Sequence, residues 1–346
     1  MHPATLPAAT LLGLAAAALV AQAPPLRLPD TSPKAQAAQT VGLTELSVTY
    51  SRPAVNGRAV WGALVPYGQV WRAGANENTV FTCSTPVTVG GVTLPAGRYG
   101  LHMLPTATEW TVIFSSQSRA WGSYGYDAKE DAARVKVTPT AGEAVNRLAY
   151  TFDDPTEAGV TLTLAWEKLR VPVKIAVDTP QVVAASLREQ LRGLPQFWPE
   201  SWSAAAAWCA RRGTNLDEAL GWANQSLAIR ETFAGLRTKA LILERKGQPT
   251  EAEALRAKAL ALATEAEVNQ LGYQLLAQKQ LDEALALFQK NVKDHPGSWN
   301  ACDSLAEAYA LKGDKAQAVA WYQKAKALVK QEDQKARIDG ELKKLR

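Results

Sequence analysis

The chain has 346 residues, 47% of them hydrophobic and 21% charged, which are ordinary globular proportions at a length that favours two domains over one. Its formal charge of +5 is spread thinly, with 13 Lys and Arg against 12 Asp and Glu from 31 to 178, and 24 against 20 from 181 onward. Nucleic-acid and anionic-membrane binding need a concentrated basic patch, so neither partner is expected.

The first segment, 1–23, joins an apolar run from Leu11 to Val20 to Ala21-Gln22-Ala23, the small-residue pattern of a signal-peptidase site. A signal peptide and export to the periplasm or the exterior, as a secreted protein, are expected. An uncleaved N-terminal anchor is the alternative, because the leading MHPATLP lacks Lys and Arg and Pro24 follows Ala23. No later segment is apolar enough to span a bilayer. The three cysteines, Cys83, Cys209 and Cys302, are odd in number and fall in separate elements, so buried free thiols are expected.

From Leu43 to Val177 the pattern has a period of two: Leu46, Val48 and Tyr50 alternate with Glu45, Ser47 and Thr49, and Val160, Leu162 and Leu164 with Thr161, Thr163 and Ala165. Gly90-Gly91 joins two short apolar runs as a two-residue hairpin would, and Pro95-Ala96-Gly97 precedes another strand. About nine short strands without intervening helices predict an all-β antiparallel sandwich, or a barrel-like variant, over 31–178.

After Pro180 the period becomes 3.6. The segment 181–200 reads as a linker or helix, and 201–330 repeats itself: Ala219, Ala252, Ala284 and Ala318 stand 33, 32 and 34 residues apart within matching strings such as Asp217-Glu218-Ala219-Leu220 and Asp282-Glu283-Ala284-Leu285. That is the tetratricopeptide period, and it predicts about four helix pairs in an all-α solenoid. The first two units lack the aromatic four residues after the alanine, having Ala223 and Arg256. The charged stretch 331–346 suits a terminal capping helix.

Several strings in the β half occur in an unusual order: YSRP (Tyr50–Pro53), GRAVWGALVPYGQVWRAGANE (Gly57–Glu77), LPAGRYGL (Leu94–Leu101), EWTVIF (Glu109–Phe114), and the pairs Trp121-Gly122 and Tyr126-Asp127. By these the β half closely resembles the bacterial family called domain of unknown function 2911. The resemblance implies an exported, β-rich domain, often followed by tetratricopeptide repeats, with no agreed activity. Ala73 stands where Thr is commoner in that family, and His102 where an aromatic is usual.

The string Arg52–Glu77 gathers Arg52, Arg58, Trp71, Arg72, Asn76 and Glu77 on Gly- and Pro-rich connections. Guanidinium forks, flat rings and an Asn-Glu pair suit a small polar or saccharide ligand; equally, an Arg-Glu network closes one end of a sandwich. In RAGANE the Gly74-Ala75 step is expected to turn the chain so that Arg72 and Glu77 share a rim. A second cluster, Trp121, Tyr124, Tyr126 and Asp127, offers an aromatic platform. A carboxylate pair such as Glu77 and Asp127 would suit a glycan-active or other hydrolase, which needs them about 5 to 10 Å apart.

Histidine occurs only at positions 2, 102 and 295, and GxSxG, HExxH and GxxxxGK[ST] strings are missing, so no metal and no cofactor are expected. A catalytic triad would need His102 itself. In the array, Trp208, Arg211, Arg212, Arg237, Glu244, Arg245, Asn269, Tyr273, Asn300 and Asp303 fall on the concave face, where a protein or peptide partner is expected. The reading leans away from enzymes, towards an exported binding or scaffold protein. A structural envelope component is a third reading.

Overall fold

The computed structural model describes residues 28–345, and the segment expected to be a signal peptide lies outside them. The chain divides into two compact units: Glu45–Ala176 with the preceding chain to Thr40, and Val177–Arg346 with the Val41–Thr44 turn.

The β unit contains ten strands: β1 (Lys34–Val41), β2 (Thr44–Ser51), β3 (Thr79–Cys83), β4 (Val87–Val89), β5 (Val92–Leu94), β6 (Gly97–Leu104), β7 (Trp110–Ser115), β8 (Asp131–Val137), β9 (Thr140–Asp153) and β10 (Gly159–Ala176). They form a six-stranded sheet, β1-β2-β3-β6-β7-β8, and a four-stranded sheet, β5-β4-β10-β9, so the architecture is a sandwich rather than a closed barrel. Alternation decides the faces. Leu46, Val48, Phe81, Leu101, Val112 and Phe114 are all buried, as are Leu148, Tyr150, Leu162 and Leu164 of the smaller sheet. Phe81 and Phe114 meet edge to face at 5.3 Å. The β4–β5 hairpin turns through Gly90 and Gly91, both at positive φ, as a two-residue turn that follows the strand twist requires. Across the sandwich, Tyr50 and Tyr150 pack edge to face at 4.8 Å, and Tyr150 N donates to Tyr50 Oη at 3.1 Å.

The helical unit begins at α1 (Thr179–Gln190), capped by Asp178, two residues earlier than the expected linker. A short 3-10 turn, Leu194–Phe197, leads into four pairs: α2 (Pro199–Arg212) with α3 (Leu216–Ile229), α4 (Phe233–Arg245) with α5 (Pro249–Leu262), α6 (Glu265–Ala277) with α7 (Leu281–Asp294), and α8 (Trp299–Lys312) with α9 (Lys315–Leu328). The helix α10 (Glu332–Lys344) follows. The four repeated alanines are each 0% exposed, because a methyl group is what lets paired helices approach. Gly272 shows the same demand more sharply: a Cβ there would stand 2.5 Å from the Phe288 ring. In the first unit, which lacks that aromatic, Trp222 is buried instead and fills the space beside Ala219 and Ala223. In the second, Arg256 turns outward to Glu244 and Glu253.

The three cysteines are free and buried.

Candidate functional site

The connection 52–78 between β2 and β3 carries most of the expected polar cluster. Between Arg72 and Glu77 the left-handed turns are made by Ala73 (φ 50°) and Asn76 (φ 59°), not by Gly74-Ala75. Gly74 is required for space, since a Cβ would meet Thr79 Oγ1 at 2.6 Å. A left-handed alanine costs about 1–2 kcal/mol. Its carbonyl accepts from Tyr150 Oη at 2.8 Å and Thr79 Oγ1 at 3.1 Å, two buried bonds that hold the turn in place.

Arg58, Trp71, Arg72 and Asn76 from this connection line one cavity of about 410 Å³ together with Trp166. Trp71 stacks on Trp166 at 5.9 Å, and its Nε1 donates to Gly74 O. Arg58 spends Nε on Val55 O and Nη2 on Ala54 O, which leaves Nη1 without an acceptor among the described residues. Asn76 Nδ2 donates to Asp30 Oδ2 at 3.0 Å. Arg72 Nε is shielded from solvent and has no acceptor among the described residues. An orphaned guanidinium N–H costs free energy until an acceptor arrives.

Arg52, Glu77, Tyr126 and Asp127 lie elsewhere. Arg52 donates through Nε to Leu148 O at 2.8 Å and works as a clamp on β9. Glu77 faces a separate groove lined by Lys34, Arg98 and Arg119, and its carboxylate pairs with Lys34 Nζ at 3.1 Å. A backbone hydrogen bond, then Lys34, hold its pKa below the usual carboxylate value. The expected common rim of Arg72 and Glu77, and the network between them, are therefore corrected: the left-handed residues Ala73 and Asn76 send the two side chains to different openings. Asp127 is exposed and caps the 3-10 turn Ala128–Glu130, accepting from Lys129 N at 3.0 Å. It lines neither the cavity nor the groove.

The second cluster forms around a residue that the sequence presents as a lone histidine. His102 sits on the outer face of β6, opposite in alternation to Leu101 and Met103, and is 3% exposed beneath the connection between β7 and β8. Its Nδ1 lies 2.8 Å from Ser123 Oγ. On the other side of the ring, the Asn78 carboxamide lies 3.4 Å from Nε2. Turned so that its oxygen faces the ring, that amide donates to Gly122 O at 2.9 Å and to Ala120 O. Gly100, on the same face of β6, makes the room, because a Cβ there would clash with Gln117 O. The Tyr126 ring lies 5.4 Å from the imidazole, and its hydroxyl donates to Asp131 Oδ2 at 2.6 Å, where Arg134 also binds at 3.1 Å. Burial pushes the His102 pKa down to about 4, against the opposing pull of Asp131. Burial and the Asp131 bond push Tyr126 up to about 12. Asn78, Ser123 and Asp131 were not singled out from sequence; the one local signal was a serine between Gly122 and Gly125.

In the array, several expected face residues already bridge successive first helices. Tyr273 Oη donates to Glu307 at 2.7 Å, Asn300 Nδ2 donates to Glu265 Oε1 at 3.0 Å, and Arg245 Nη2 donates to Arg211 O at 3.1 Å. Arg212 lies over Trp208 and Arg237 over Phe233. Asn269 Oδ1 is buried without a partner among the described residues.

Residues 32–175 match the family described as protein of unknown function (DUF2911), and residues 301–336 match a tetratricopeptide repeat. No curated protein matches the chain. Among solved structures it is similar to pilF of Pseudomonas aeruginosa, with 20% identity over 42% of this chain and 67% of that one and a TM-score of 0.28. It is similar also to YrrB, described as a TPR protein with an unusual peptide-binding site, with 20% identity over 46% of this chain and 84% of that one and a TM-score of 0.28. For MamA of Desulfovibrio magneticus RS-1 the values are 21%, 42%, 82% and 0.28. The chain thus carries a domain of the DUF2911 family, followed by a tetratricopeptide repeat array.

Proposed function

We propose that this is an exported binding and scaffold protein, whose β unit takes a small anionic molecule into the Arg58–Arg72 cavity and whose array docks a protein partner. The observation that carries the reading is Arg72 Nε, buried without an acceptor among the described residues at a cavity that also holds Arg58 Nη1, likewise without one, and the Trp71 ring. A carboxylate or phosphate group supplies the missing acceptor and balances two guanidinium charges. A neutral saccharide supplies hydroxyls only, and is the weaker fit. Export rests on the 1–23 segment, and the protein partner on the extended surface that stacked repeats display.

Thermal melts with a panel of small dicarboxylates, phosphate esters and neutral sugars test this. A carboxylate or phosphate should raise the melting temperature of the native chain and leave that of Arg72→Met unchanged. An equal shift in both proteins, or a response to neutral sugars alone, would remove the cavity from consideration as an anion site.

A further inference from the structure

The contacts of His102 have the layout of a nucleophile, a base and an orienting amide. Ser123 Oγ lies at hydrogen-bond distance from Nδ1, and Nδ1 can accept only if the ring proton sits on Nε2. The Asn78 carboxamide oxygen on the far side accepts that proton, while Asn78 is itself anchored to the carbonyls of Gly122 and Ala120. In that arrangement Nδ1 carries the free lone pair and can accept from the Ser123 hydroxyl. An imidazole that burial holds near 4 is neutral at pH 7, so its lone pair stands open to the hydroxyl hydrogen bond.

Ser123 occupies a turn built for close approach. Gly122 has φ 65°, Gly125 follows two residues on, and neither the Ser123, the Tyr124 nor the Gly125 N–H is spent on a backbone hydrogen bond among the described residues. Arg72 Nη1 would stand 3.1 Å from a Cβ on Gly122, so a guanidinium lies against the residue that precedes the hydroxyl. These N–H groups and that guanidinium are the donors at hand for negative charge that develops beside Ser123. The rings of Trp121 and Tyr124, 62% and 86% exposed, flank the serine with flat apolar surface.

We propose that Ser123 is an acyl-accepting nucleophile, with His102 as its general base and Asn78 as the positioning residue, acting on small acyl esters that carry an aromatic or other flat apolar group. Ser123 Oγ attacks the ester carbonyl as its proton passes to His102 Nδ1. The carbon–oxygen bond to the alcohol breaks, and the alcohol leaves with the proton from His102. Water then adds to the acyl-serine, gives its proton to His102, and the carboxylic acid departs as Ser123 regains that proton. Carboxylates 77 and 127 have no part in this, and the site does not depend on the anion reading of the neighbouring cavity.

The experiment uses the full chain and an alkyl fluorophosphonate probe, with the labelled residue mapped by mass spectrometry. One probe per chain should attach at Ser123. Ser123→Ala should remain unlabelled while melting within a few degrees of the native protein. His102→Gln should react on the order of 100-fold more slowly, the low end of what a general base contributes. Hydrolysis of a 4-nitrophenyl ester should follow the same order. No labelling of the native chain, labelling elsewhere, or an unchanged rate in a folded His102→Gln would each overturn the proposal. If His102→Gln does not fold, the Ser123→Ala comparison still decides. Ligand melts repeated on Ser123→Ala report the cavity separately, so either reading fails alone.

Discussion

His102 ties the protein's stability to pH in a direction that can be worked out. Its pKa is lowered from 6.5 to about 4, so between those values the unfolded chain binds a proton that the folded chain refuses. The stabilisation is fully present above pH 6.5 and is lost as pH falls towards 4. Through linkage the difference amounts to about 3 kcal/mol. His102→Phe restores the aromatic that the family resemblance leads one to expect there, and has no such term. Denaturation of both proteins from pH 7 to pH 4 should therefore show the native advantage shrinking by about that amount; a constant gap would mean that the ring is protonated in the fold. Residues of this kind were the least legible in the sequence. Asn78, His102 and Ser123 come from three separate segments, and no periodicity links them. Arg72 and Glu77 are five positions apart and read as partners. What separates them is the left-handed backbone at Ala73 and Asn76, residues with no glycine to advertise it.

At the scale of elements the sequence was far more open, because burial follows the backbone period. Every second residue of β2 is buried, and the alanines at 33, 32 and 34 residue spacing are each sealed between paired helices. Gly272 and Gly221 separate packing from propensity. Both lie inside helices, where Gly→Ala alone gains up to about 1 kcal/mol. At Gly221 the new methyl meets nothing within 4 Å, so Gly221→Ala should stabilise by about that gain. At Gly272 it meets the buried Phe288 ring at 2.5 Å. Overpacking of that kind costs about 1–3 kcal/mol and outweighs the gain. Gly272→Ala should thus lower the urea midpoint while Gly221→Ala raises it. A rise in both would show that α6 and α7 are held less tightly than the contact implies.

Over the whole molecule, the change of period near Pro180 marks the passage between the two units, but the connecting segment is more ordered than its composition suggests. Only Val177 and Asp178 separate β10 from α1. The exposed stretch comes later, where Leu194, Phe197 and Trp198 are 79%, 67% and 63% exposed. Leu194 and Trp198 are each followed by proline, which blocks cleavage, so limited chymotrypsin should cut first after Phe197 and leave a fragment beginning at Trp198. Earlier cuts anywhere else in either unit would contradict the compactness of both.

The buried cysteines carry a consequence for where such a molecule can work. Cys83, Cys209 and Cys302 are at most 2% exposed, and burial raises each thiol above its ordinary pKa. Oxidants act on thiolates within reach, and these are neither ionised nor reachable. The fold borrows nothing from a disulfide and offers nothing to a reductant. It is therefore redox-neutral: the same cores stand in reducing and in oxidising surroundings. Melting curves recorded with dithiothreitol and with oxidised glutathione should superimpose.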